Sequence, residues 1–125
     1  MRTAPDVLIE TVIGVAIEVH RTLGPGLVES VYELALAYEL RRAGLESKRQ
    51  VPVDVVYKGE PLGKGFRVDL LVEGTLPLEL KVADKLTELH AAPLIAYLRL
   101  LQLKRGLLLN FNSMPLHRGI KRISI

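Results

Sequence analysis

Cysteine is absent from this sequence of 125 residues. That one absence excludes disulfides, thiolate zinc sites and cysteine nucleophiles, and it fits a reducing compartment. Long apolar runs are missing as well. None approaches the roughly 20 residues needed to cross a bilayer, and there is no basic-then-apolar pattern of a signal peptide. Met1-Arg2-Thr3-Ala4-Pro5 is too short and too polar for either, so a cytoplasmic chain without a membrane partner is expected. Internal repeats, low-complexity tracts and linkers are also lacking, and the length suits one core, so residues 1–125 are expected to form a single domain. The excess of one charge sign is small, +3. It permits nucleic-acid binding without arguing for it. What remains is ordinary globular composition, 49% apolar and 25% charged, which excludes disorder and a coiled coil.

Thr3 followed by Asp6 has the spacing of a capping box. After it Ile9, Val12, Ile13, Ala16, Val19 and Leu23 recur every three or four residues, one apolar face of a helix. Gly24-Pro25-Gly26 ends it. The pattern predicts a second helix with Val31, Leu34, Ala35 and Tyr38 inward and Gly44 as its left-handed cap. The period then changes to two. Val51, Val53 and Val55 mark a strand, Tyr57 to Gly63 a turn region, Phe66 to Val72 a returning strand. Glu73-Gly74-Thr75 turns the chain into a third strand, Leu76 to Val82. A helix from about Thr87 to Leu103 and a strand at Gly106–Phe111, apolar enough to be buried on both faces, follow. Gly119 to Ile125 alternates like an edge strand. The order ααβββαββ specifies an α/β fold, a mixed sheet of four to five strands flanked by helices, with a right-handed crossover before the parallel strand.

The segment Phe66-Arg-Val-Asp69-Leu-Leu-Val and Leu76-Pro-Leu-Glu79-Leu-Lys81-Val carries the chemistry. Alternation puts Glu79 and Lys81 on one face of their strand. Asp69 lies across the short hairpin. Two carboxylates and an amine on otherwise apolar strands are costly to desolvate without a purpose. A hard divalent cation provides one, since magnesium prefers carboxylate oxygens and keeps positions open for water and phosphate. The competing reading is a surface carboxylate–lysine pair of little energetic weight. From these residues alone both readings stand.

Gly26-Leu-Val-Glu29-Ser-Val-Tyr32 resembles the name-giving motif of the GxxExxY protein family, a bacterial and archaeal group within the PD-(D/E)XK nuclease superfamily. Ile13-Gly14, Ile17-Glu18-Val19-His20, Leu23-Gly-Pro-Gly26, Val56-Tyr57-Lys58-Gly59, Arg67-Val-Asp69-Leu-Leu-Val72, Glu79-Leu-Lys81 and Leu108-Leu-Asn110-Phe111 are similar to its other blocks, from about Val7 to Arg122. The resemblance implies a restriction-endonuclease-like core and a magnesium- or manganese-dependent nuclease acting on DNA or RNA. It implies catalytic roles for Glu29, Asp69, Glu79 and Lys81, with Asp69, Glu79 and Glu29 serving the metal. Judged as residues alone, Glu29 reads as a solvated glutamate and Tyr32 as half-buried.

Tyr32, Arg67, His20 and Tyr97 are possible supporting residues. His20 repeats a family position that suits a phosphate contact, although a histidine at a helix end is more often a cap. His90 reads as a helix start and His117 as a solvated loop residue. Arg67 shares a face with Asp69, to pair with it or steer a phosphate. Gly63-Lys-Gly65 reads as hairpin. Arg41-Arg42, Lys48-Arg49 and Lys104-Arg105 read as solvated, with no stacking aromatics between them. One departure stands out. The family continues His-x-Ala-Gln with a tyrosine four residues on, whereas this chain has His90-Ala-Ala-Pro93-Leu-Ile-Ala-Tyr97. Proline removes the supporting amide, which favours the alternative of an inactive nuclease-fold module that binds nucleic acid or a protein. The chain is also short for a complete substrate groove, so a homodimer or a partner protein is expected to complete it.

Overall fold

The computed structural model describes residues 5–125. Helix α1 spans Pro5–Leu23 and α2 Glu29–Arg42; strands β1 (Ser47–Tyr57), β2 (Glu60–Val72) and β3 (Leu76–Lys81) follow, then α3 (Glu88–Leu101), β4 (Arg105–Asn110), a 3-10 turn at Leu116–Gly119 and β5 (Ile120–Ser124). Thr3 of the expected capping box lies outside the described residues. The sheet order is β1-β2-β3-β4-β5. All neighbours are antiparallel except β3 and β4, so the fold is the mixed α/β architecture that the alternation of periods predicts.

Apolar burial divides between the two faces of this sheet. Leu8, Val12, Ala16 and Val19 of α1 and Leu36 and Leu40 of α2 cover one face, against Leu70, Leu78, Leu80, Leu107 and Leu109. Ala91, Leu94, Tyr97 and Leu98 of α3 cover the other, against Val53, Val68, Leu108 and Ile123. Strand β4 sends leucines into both clusters, as its uninterrupted apolar run requires. Gly106 at its start admits the close approach of Leu94: a Cβ there would lie 3.0 Å from a leucine methyl and 3.2 Å from Pro77 O.

Two expectations need correction. Helix α2 buries Tyr32, Glu33, Leu36 and Leu40, while Val31, Leu34 and Tyr38 are exposed. Apolar residues lie all around this helix, so its periodicity does not single out one face. Nor is Tyr57 to Gly63 a turn region: the turn is Lys58-Gly59, both at positive φ, the residue pair of a two-residue hairpin. Gly63 and Gly65 belong to β2, where the register with β1 shifts. They mark strand bulges: Gly63 has φ +92, and a Cβ on Gly65 would meet Val55 Cγ2 at 2.6 Å.

Candidate metal centre between β2 and β3

Strands β2 and β3 pair from Val72/Leu76 as far as Leu70/Leu78, and there their ladder ends. The next main-chain donor on β3, Leu80 N, therefore lacks a strand partner. Asp69 Oδ2 accepts its hydrogen bond instead, at 2.8 Å. The alternation of β2 changes at the same point. Phe66 and Val68 pack with α3, whereas Leu70 and Val72 pack with α1 and α2. Opposite Asp69 on the register stands Gln50, whose φ of +53 interrupts the extended backbone of β1.

Glu79 projects from β3 opposite Leu108 of β4, and Lys81 opposite Asn110. The Glu79 side chain is only 6% exposed, and its Oε1 is buried without a hydrogen-bond partner. Burial pushes this carboxyl from 4.5 to about 8; the neighbouring Asp69 carboxylate adds to the rise, the Lys81 ammonium opposes it, and Glu29 raises it slightly further. The structure thus brings Asp69, Glu79 and Lys81 together, with Glu29 reaching them through its charge from the first residue of α2. Among the described residues no three acidic or histidine side chains converge as a ready cage. Two carboxylates, one of them with an orphaned buried oxygen, fit a cation that fills its remaining positions with water.

Tyr97 stands beneath this group from α3. It is buried, its hydroxyl donates to Arg67 O, and its ring meets Phe66 edge-on at 5.1 Å. Burial raises its hydroxyl to about 12, and the charges of Glu79 and Asp69 contribute. Tyr97 thereby ties α3 to β2 two residues before Asp69. Arg67 itself is exposed, with no ion pair among the described residues.

Tyr32 and His20 lie in a different setting. Tyr32 is fully buried rather than half-buried. Its hydroxyl donates to Gly24 O and accepts from Leu27 N, and its ring stacks on Phe111 with centroids 4.6 Å apart. It fastens the Gly24–Gly26 turn and so sets where α2, and Glu29 with it, begins. His20 is buried beside Phe111, with Nε2 unpartnered; its carbonyl, not its ring, bonds Gly24 N.

His90 has the structural role expected of it: Nδ1 accepts from Thr87 N at 2.9 Å, closing the first turn of α3. Pro93 falls one turn later, inside the helix. It has no N–H for Leu89 O, which therefore lacks its helical donor.

Three residues were missed by pattern. Glu33, 5% exposed, holds Arg49 at 2.8 and 2.9 Å, so Arg49, exposed as expected, is also half of an ion pair whose acidic end is buried. Gln50 bridges Glu33 and Asp69. Asn110, 1% exposed, accepts from Ala83 N and donates to Ala83 O, which clamps the chain leaving β3 just past Lys81. Their partners are distant in sequence, so short-range periodicity holds no trace of them. The only available signal was a run of amide and charged residues entering and leaving apolar strands.

Residues 6–123 match the family described as the PD-(D/E)XK nuclease superfamily. Comparison with curated proteins and with solved structures gives no significant match.

Proposed function

Because the chain belongs to the PD-(D/E)XK nuclease superfamily, we propose that it is a divalent-metal-dependent nuclease that hydrolyses phosphodiester bonds of DNA or RNA. The Gly26-Leu-Val-Glu29-Ser-Val-Tyr32 segment supports the narrower assignment to the GxxExxY family. The observation that carries the reading is the Glu79 carboxyl, buried beside Asp69 with one oxygen unpartnered. A group so costly to ionise is retained where a cation compensates it.

Asp69 and Glu79 would hold magnesium or manganese, with Glu29 supporting them from α2. When bound, such a cation supplies Lewis-acid polarisation of the scissile phosphate and a more acidic water. Lys81, on the same face as Glu79, orients the attacking water and offsets negative charge as it develops. Tyr97 and Arg67 act as supports, Tyr97 by fixing β2 and Arg67 as a free cation beside the phosphate path. No helix among the described residues is long and apolar enough to cross a membrane. In this proposal the chain works as a single-domain enzyme of the cytoplasm. A second copy of the chain, or a partner protein, completes the groove; a monomer at micromolar concentration by light scattering would count against that.

Calorimetry of manganese binding near pH 7.5 tests the site. The wild type is expected to bind and Asp69→Asn to lose at least about a hundredfold in affinity, since a ligand rather than its support is removed. No binding by either, even with a short oligonucleotide supplying phosphates, would refute the metal site and leave the non-cutting binding module.

A further inference from the structure

Gln50 has no part in the chemistry above, yet its placement is unusual. It lies on edge strand β1 at φ +53, a conformation that non-glycine side chains rarely adopt. Its Nε2 donates to Glu33 Oε1 at 2.6 Å and to Asp69 Oδ1 at 3.3 Å. Both neighbours are acceptors, so the amide has one orientation, with both hydrogens used. Glu33 is itself immobilised: it is buried on α2, and Arg49 takes its Oε2, leaving Oε1 for Gln50. Asp69 is then gripped at both oxygens, by Gln50 on one and Leu80 N on the other. A continuous line of contacts runs from α2 through β1 and β2 to β3, at the level where the β2–β3 ladder has ended.

We propose that Gln50 is a positioning residue, which links the buried Glu33 carboxylate, held by Arg49, to Asp69 and fixes the Asp69 carboxylate for a cation. Its value for cation binding rests on the metal-site reading. Its hold on Asp69 does not, and the two can be measured separately.

Gln50→Gly removes the amide while suiting the positive φ, and Gln50→Asn tolerates that φ but is too short to span both carboxylates. Two quantities are read for each: manganese affinity by calorimetry, and exchange of the Leu80 amide hydrogen by NMR, with the Leu108 amide in β4 as reference. Both variants are expected to bind manganese about ten- to a hundredfold more weakly, as loss of an outer-shell partner typically does. Leu80 exchange is expected to accelerate about tenfold and Leu108 exchange to stay unchanged. Unchanged Leu80 exchange, or equal acceleration at Leu108, overturns the proposal. If the wild type binds no manganese, the metal-site reading fails, and Leu80 exchange alone decides whether Gln50 holds Asp69.

Discussion

Replacing Glu79 by glutamine should make the metal-free protein more stable, increasingly so as pH rises. The folded carboxyl titrates near 8, against 4.5 for the free group. Between those values the native state keeps a proton that the unfolded chain has lost, so stability falls as pH rises and levels off above about 8. At about 1.4 kcal/mol for each unit, the penalty is about 3 kcal/mol at pH 7 and at most about 5 kcal/mol once the group is ionised in both states. Glutamine keeps the shape and cannot titrate. Urea unfolding with a chelator present should therefore show the advantage of Glu79→Gln growing by about 4 kcal/mol between about pH 5 and pH 9. Saturating manganese should reverse the ranking, because it stabilises only a native state that binds it. A gap that changes by less than about 1 kcal/mol across that range would mean the carboxyl is solvated, and the burial argument would fall.

Asn110→Ala strips the partners from Ala83 N and O and should cost about 2–3 kcal/mol in urea unfolding; a cost under about 0.5 kcal/mol would show that the segment after Lys81 does not need the clamp. Tyr32→Phe keeps the stack on Phe111 but loses the hydroxyl that bonds Gly24 and Leu27, for an expected 1–2 kcal/mol, about what two part-buried hydrogen bonds contribute. Pro93→Gln restores a donor for Leu89 O and should raise stability by about 2 kcal/mol; no gain would indicate that α3 already accommodates the ring.

The architecture was legible because each element has its own punctuation. Gly74 and Gly59 supply the positive φ that two hairpins need, and the leucine run of β4 can be satisfied only between two covered faces. Asp69, Glu79 and Lys81 were legible because charged residues on apolar strands stand out. The buried face of α2 was not, since Val31-Leu34-Tyr38 and Tyr32-Leu36-Leu40 are equally apolar stripes; the choice is made by Phe111 and the sheet, far along the chain. Arg49 and Gln50 were hidden for a related reason. Beside Lys48, Arg49 reads as solvated and nothing marks Gln50; only Glu33 and Asp69, brought beside them by folding, give them partners.

The parallel join between β3 and β4 has a consequence for how the protein comes into being. Glu79 and Lys81 lie against Leu108 and Asn110, residues that leave the ribosome well after them. A nascent chain that has made both hairpins but not β4 carries the acidic residues without the floor beneath Glu79 or the clamp on Ala83, and non-local pairings of this kind are slow to close. The setting of Asp69, Glu79 and Lys81 is thus completed only after β4 has emerged and paired with β3.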